Sequence, residues 1–359
     1  MYIQNYKAYK NIMSTNPVFD KDYLSSILHL SESQIIDVIE VTEIIESTTA
    51  LVIKVNIQIN DSGTLYTRKL FIKTIKHNTS ENVYHHMSMQ EGKFYQMVKD
   101  HTIHNLPIPL CYDVFVSDEK NEFVIVLEDI SNRYAVPDST VLTDKNIWFS
   151  CAESLAKFHS AFWNHNVISH DKAEHDAVSD RECLQSFLHD FRDEFDSVTK
   201  TTLERAMEIN ISLIKETSRR KREKNNVTIC NGDSHIYNFM LSPERNKNSL
   251  MVDFQFWGGG ISTDDLAHLT RVSFSDELKE DIQIPLVEHY HKTLLAHGVT
   301  GYTWENCLSD YRTSVASMVL IPLWQYSGFG LKYDEWIGAL RGLIYNYEYM
   351  KCDEHCRIV

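Results

Sequence analysis

Apolar residues dominate Ile35–Ile45, Leu51–Ile59 and Leu65–Ile75, which are separated by polar turns. Each run is rich in β-branched residues, and that composition between turns predicts three strands. Asn60-Asp61-Ser62-Gly63 predicts a hairpin turn between the second and third. From Ser80 to about Asp100 the pattern changes. Val83, Met87, Glu91, Phe94, Tyr95 and Val98 recur at helical spacing with no Pro among them, which predicts a packed helix. Two further strands, Tyr112–Val116 and Glu122–Leu127, follow. Three strands, a helix and two strands predict an antiparallel five-stranded sheet covered by one helix. With a helical N-terminal arm, this unit is expected to span residues 1–127.

Beyond a short connection at 128–131, residues 132–359 read as mainly helical, so the fold class is α+β in two lobes. Thr143 is the expected N-cap of a helix reaching about Asn164, with Trp148, Ala152, Leu155, His159 and Phe162 on one face. His159 on that face reads as a core histidine, and Phe158, Phe162 and Trp163 as core aromatics. Residues 167–226 carry two charged helical patterns, and the run Arg219-Arg220-Lys221-Arg222-Glu223-Lys224 reads as a solvated loop before a buried strand. Gly258-Gly259-Gly260 predicts a mobile or tightly turning segment. Trp304, Tyr311, Trp324, Tyr326, Trp336 and Tyr345 in the last third read mostly as core.

The chemistry concentrates in Ile229-Cys230-Asn231-Gly232-Asp233-Ser234-His235-Ile236-Tyr237-Asn238 and in Met251-Val252-Asp253-Phe254-Gln255. Phosphoryl transfer asks a protein chiefly for positioning and charge neutralisation. Asp233, in a turn after an apolar strand, can orient an alcohol and take its proton. Asn238 can reach a magnesium ion from the same loop, and Asp253 offers the hard anionic oxygen that magnesium prefers. The plain alternatives are a polar turn for the first segment and a helix cap for Asp253. Upstream, Lys73 ends an apolar strand where it can reach nucleotide phosphates, provided a helical carboxylate holds it. Glu91 is the best-placed partner and Glu81 a second, while Lys69 shares the strand parity of Lys73. Taken singly, Lys73 is a strand-edge lysine and Glu91 a solvated helix face.

Asn-Gly-Asp-Ser-His-x-x-Asn resembles the catalytic loop of the aminoglycoside phosphotransferase and choline kinase superfamily, and Asp-Phe-Gln resembles its metal-binding motif. Leu127-Glu128-Asp129 and Leu155-Ala156-Lys157-Phe158-His159-Ser160-Ala161-Phe162-Trp163 bring the likeness nearest to the ecdysteroid-kinase-like branch. The matched motifs run from about Lys73 to Leu269. The resemblance implies a protein-kinase-like fold and transfer of a γ-phosphate from ATP, with GTP as the alternative, to the hydroxyl of a small molecule. It implies Asp233 as catalytic base, Asn238 and Asp253 as magnesium ligands, and Lys73 with Glu91 as the phosphate anchor. Backbone groups of Glu128, Asp129 and Ile130 would bind adenine, and Asp265 would brace the catalytic loop. Asn231 departs from the family's His. The turn between the first two strands also lacks glycine, so that phosphate contact there falls to Ser47 and Thr48 or is absent. A nucleotide-binding pseudokinase is the competing reading. Protein kinase activity is disfavoured, because Asp-Phe-Gln replaces Asp-Phe-Gly and no Ala-Pro-Glu follows.

Composition narrows the partners. Thirty-five basic against fifty acidic residues give a formal charge of -15 over 359 residues, which argues against nucleic acid. No stretch has the length and hydropathy of a membrane span, and the first twenty residues lack the apolar core of a secretory signal. A cytoplasmic protein is expected, with monomer and homodimer both open. Seven scattered cysteines read as reduced thiols, and Cys352-Asp353-Glu354-His355-Cys356 lacks the second pair of ligands that a zinc site needs. An amino sugar, choline or a lipophilic alcohol would each suit some version of the site.

Overall fold

The computed structural model describes residues 20–46, 50–75, 83–168, 176–244, 248–271, 274–329 and 332–356. Ser47, Thr48 and Glu81 lie outside the described residues. The chain forms two compact units, residues 1–102 with 109–132, and residues 103–108 with 133–359.

The described residues of the first unit form a five-stranded antiparallel sheet with two helices. Its strands are β1 (Gln34–Glu46), β2 (Ala50–Asp61), β3 (Thr64–Ile75), β4 (Cys111–Ser117) and β5 (Glu122–Glu128), in the order β1-β2-β3-β5-β4. Ser62 and Gly63, both at positive φ, close the β2–β3 hairpin as expected. Helix α1 (Lys21–Ile27) is capped by the Asp20 carboxylate, which accepts from the backbone N–H groups of Asp22 and Tyr23. Its Leu24 joins Leu28, Ile36, Ile57, Ile59 and Val126 in one apolar cluster. Helix α2 (Val83–Asp100) buries Met89, Phe94 and Tyr95. A Cβ on Gly92 would lie 2.9 Å from that of Phe123, so the missing side chain is what lets α2 approach β5.

The second unit is helical, with two small antiparallel ladders. Helix α3 (Lys145–Ala161) has its N-cap one residue later than expected. Asp144 rather than Thr143 accepts from a first-turn N–H, that of Asn146, because its short carboxylate sits at the extended cap position. Trp148, Ala152, Leu155 and His159 are fully buried on α3, and Phe162 just beyond it. Helices α4 (Ala177–Asp190) and α5 (Ser197–Glu223) follow. The basic run is not a loop: it forms the last turns of α5. Arg219 and Arg220 are held by Glu216, Arg220 forms a bidentate pair with Asp310 at 2.7 and 2.8 Å, and Lys221 is buried. Glu216 on the same helix and Asp310 from ninety residues on satisfy the two arginines, and local charge density could not reveal Asp310.

Strand β6 (Thr228–Cys230) pairs with β9 (Gly258–Gly260), and β7 (Phe239–Met240) pairs with β8 (Leu250–Met251). The triple glycine is therefore a strand rather than a turn. A Cβ on Gly259 would come within 2.8 Å of Ile168, and one on Gly260 within 2.9 Å of the Cys230 sulfur. Glycine serves close backbone approach here. The remaining helices are α6 (Thr263–Leu269), α7 (Asp276–Ala296), α8 (Trp304–Met318), α9 (Ile321–Phe329), α10 (Tyr333–Tyr349) and α11 (Cys352–His355). Trp336 and Tyr311 are buried among them, whereas Trp324 is 38% exposed. No helix among the described residues is long and apolar enough to cross a membrane.

Candidate active site

The two ladders of the helical unit explain why residues distant in sequence meet. Pairing of β6 with β9 sets the residues that leave β6 beside those that enter β9. Pairing of β7 with β8 then draws Asn238 to the same place, where its carbonyl accepts from the N–H of Val252 at 3.0 Å. Asp233, Asn238 and Asp253 converge through backbone topology.

Side chains fix the details. The Nδ2 of Asn238 donates to the carbonyl of Asp233 at 2.7 Å. A carbonyl can only accept, so this bond orients the amide and leaves Oδ1 as its open end. The Nδ2 of Asn231 donates to the carbonyl of Asp253 at 2.9 Å, while its Oδ1 accepts from the N–H of Asp233 at 3.1 Å. Asn231 thus supplies the brace expected of the family's His, with one end on each loop. Asp253 is held in the left-handed region at φ 61, which Asp tolerates better than most residues and which the Asn231 bond helps impose.

Asp265 on α6 organises the loop from below. Its carboxylate accepts from the backbone N–H groups of Asn231 at 2.6 Å and Gly232 at 2.9 Å, and from His159 Nε2 at 3.1 Å. Burial alone would raise the Asp265 pKa, yet His159 and these two N–H groups hold it below the ordinary carboxylate value. The other ring nitrogen of His159 bonds the Tyr290 hydroxyl at 2.7 Å. His159, Cys230 and Asp265 form a buried trio of possible metal ligands, but both His159 nitrogens are already engaged. Gly232 stands at φ +83, and a Cβ there would fall 2.3 Å from the carbonyl oxygen of Phe256. No other residue fits this turn without displacing it.

Asp233 itself is flanked by His235 Nε2 and His268 Nε2, each 3.6 Å from one of its oxygens. Burial, opposed by the charge of Arg271 and reinforced by those of Asp253 and Asp265, pushes its pKa up to about 7. That value suits a group that must take a proton near neutrality. Burial and the Arg271 charge lower the pKa of His235, and that of His268 to about 3, so both rings are neutral. Sequence reasoning missed His268 and Arg271. Their only signal is proximity to Asp265 along the chain.

Next to the loop lies a cavity of about 490 Å³, wholly within this unit. Gly232, Asp265 and His268 line the side toward the Asn231–Asn238 loop, and Leu213, Met318 and Trp324 its apolar side.

In the sheet unit, Lys73 Nζ and a Glu91 oxygen form an ion pair, with side chains only 12% and 4% exposed. Lys69 lies in the exposed part of β3, so the geometry singles out Lys73. Glu128 ends β5. The N–H of Asp129 donates to the carbonyl of Lys69 at 3.1 Å, and the Asp129 carboxylate accepts from the N–H of Ser131 at 2.9 Å. Ile130 is buried.

Comparison with known proteins places the chain in a family. A sequence model described as the ecdysteroid kinase-like family matches residues 36–299. No curated protein matches the chain. Among solved structures, the chain is similar to a choline/ethanolamine kinase family protein from Mesorhizobium loti, with 12% identity, a TM-score of 0.50, and 94% of this chain and 96% of that one covered. It is also similar to wild-type aminoglycoside 2'-phosphotransferase-IIIa, solved as its GDP complex, with 11% identity, a TM-score of 0.54, and 92% and 99% covered. At these identities the likeness establishes the fold, which is the α+β kinase-like fold expected from the sequence.

Proposed function

The chain belongs to the ecdysteroid kinase-like family, and from that premise we propose that it is an ATP- and magnesium-dependent kinase that phosphorylates a hydroxyl of a small molecule. The observation that carries this reading is the convergence of Asp233, Asn238 and Asp253, tied by the Asn238 and Asn231 side-chain bonds.

The donor set fits magnesium. It consists of a carboxylate and a carboxamide oxygen, hard ligands of the kind this ion prefers, and the Asn238 amide is oriented with its oxygen outward. Asp253 and Asn238 would hold the ion. When bound, it neutralises charge on the nucleotide phosphates. Asp233 orients the acceptor alcohol, and its carboxylate takes the hydroxyl proton as the new oxygen–phosphorus bond forms and ADP leaves. Lys73, fixed by Glu91, holds phosphate oxygens. Backbone groups at Glu128, Asp129 and Ile130 take the adenine edge. The GDP found with the aminoglycoside enzyme is in keeping with a nucleotide site in this fold.

The cavity that Gly232 and His268 border is the proposed acceptor chamber. Its volume of about 490 Å³ falls within the range of small-molecule sites, roughly 300–1,000 Å³. Walls of mixed character favour a hydroxylated metabolite with an apolar body. The test is ATP consumption across pools of sterols, sugars, amino sugars and amino alcohols, with Asp253→Ala as blank. Turnover in one pool that vanishes in the blank is expected. Absence of turnover in every pool would give the pseudokinase reading the advantage.

A further inference from the structure

Three buried side-chain nitrogens without a hydrogen-bond partner among the described residues cluster around Asp233: His235 Nδ1, His268 Nδ1 and Arg271 Nε. Buried polar atoms are normally satisfied, and each exception calls for a reason. Arg271 gives the most informative case. It stands two residues past α6, and its Nη2 lies 2.6 Å from His268 Nε2. A guanidinium can only donate, so His268 Nε2 accepts and the ring proton sits on Nδ1. That ring, 3.6 Å from Asp233, cannot donate to it through Nε2. The bond to His268 is the only one the Arg271 side chain makes among the described residues. A guanidinium has five donors in a planar fork. Most of this fork is unspent among the described residues.

Charge points the same way. Arg271 is the cation whose field acts on Asp233, and no ion pair joins the two among the described residues. Burial lowers the Arg271 pKa only to about 10, so the charge persists at neutral pH. A half-buried cation with donors unspent among the described residues, beside a proton-accepting carboxylate, is arranged for an anionic oxygen, which Arg recognises better than any other side chain.

We infer that Arg271 binds an anionic oxygen brought against Asp233, and that it thereby disfavours an ammonium group at the same position. This rests on Asp233 being the transfer centre proposed above. Two sources share the chemistry: the phosphoryl group in transfer, and an acidic group on the acceptor next to its hydroxyl.

The test begins with inorganic phosphate as probe, titrated into the full-length protein by calorimetry in an Asp233→Asn background, which removes the repelling carboxylate. Asp233→Asn should bind phosphate saturably. Adding Arg271→Gln should weaken binding at least tenfold, and Arg271→Lys should restore part of it. Melting temperatures confirm that each variant is folded, and the Lys rescue separates charge from mere packing. Equal affinity with and without Arg271, or no saturable binding to Asp233→Asn, overturns the inference. A second arm uses slow hydrolysis of MgATP by Arg271→Gln alone. A fall in kcat with unchanged KM assigns the oxygen to the transferring phosphoryl group, and unchanged hydrolysis assigns it to the acceptor. If wild-type protein binds phosphate through Arg271 but never consumes ATP, the kinase reading fails while the anion site stands.

Discussion

Asn231 Nδ2 donates to the backbone carbonyl of Asp253 at 2.9 Å, so a single side chain ties the loop of the proposed base to the loop of the proposed metal ligand. Its Oδ1 holds the N–H of Asp233 at the same time. Asn231→Ala removes both bonds and frees two loops whose relative placement the chemistry needs. Misplacement of reacting groups by about 1 Å can cost roughly 100-fold in rate. A fall in kcat of that order is expected, with nucleotide affinity changed far less. Asn231→His, the residue usual at this position in the resembling families, should retain more activity than Ala. Steady-state kinetics on the three proteins checks the order.

Gly232 permits no side chain. Its φ of +83, and the 2.3 Å that would separate an added Cβ from the Phe256 carbonyl oxygen, make Gly232→Ala strained twice over. A loss of about 1–3 kcal/mol in unfolding free energy is expected from the backbone conformation alone, together with loss of turnover. Denaturant unfolding measures the first. Gly63, also at positive φ but with no atom near its absent Cβ, is the control: Gly63→Asn should cost little, since Asn tolerates that conformation.

Lys73 and Glu91 are a buried pair, and removing one partner strands the other. Lys73→Met leaves the Glu91 carboxylate, 4% exposed, without its cation. Breaking such a pair costs about 3–5 kcal/mol when fully buried. A loss toward the lower figure is expected by thermal or denaturant unfolding. Lys73→Met/Glu91→Leu should recover much of that stability without recovering nucleotide affinity. Equal stability of Lys73→Met and wild type would show that the pair is not buried in solution.

Asp264 introduces a pH dependence of stability. Burial, with the charges of Asp265 and Asp310, pushes its pKa from 3.8 up to about 7, although Ser314 donates to it at 2.5 Å. The folded state therefore holds a proton that the unfolded chain releases at lower pH. The contribution to stability is fully present below about pH 4 and is lost as pH rises through about 7. The carboxylate is only partly buried and borders the cavity, so solvent screening reduces the swing to about 2 kcal/mol. Asp264→Asn keeps the acceptor for Ser314 and should flatten the fall in melting temperature between pH 4 and 7.5. An unchanged slope would contradict this origin.

The sheet unit was plain in the sequence, because β-branched runs bounded by polar turns mark strands whatever surrounds them. Lys73 and Glu91 were legible for the same reason, since strand and helix patterns place them, while the Gly92 approach that seats α2 on β5, the neighbour of β3, was not. Asp233, Asn238 and Asp253 were legible as spacing. What spacing could not show was the ladder pairing that joins them, or the two hydrogen bonds by which Asn231 holds both loops. Gly258–Gly260 misled because glycine marks turns and close approaches alike, and only the Cys230 sulfur and Ile168 distinguish the two. The basic end of α5 misled because its partner Asp310 is ninety residues away. Arg271 was invisible, since its meaning comes wholly from what it faces.

The central claim is that Asp233 takes the proton of an acceptor alcohol during phosphoryl transfer. The most direct measurement is acceptor-dependent ADP release by Asp233→Ala beside wild type, with MgATP binding measured on both proteins. Loss of acceptor-dependent release by at least about 1,000-fold, with nucleotide affinity retained, is the expected result for removing a general base and its positioning together. Release at the wild-type rate by folded Asp233→Ala would contradict it.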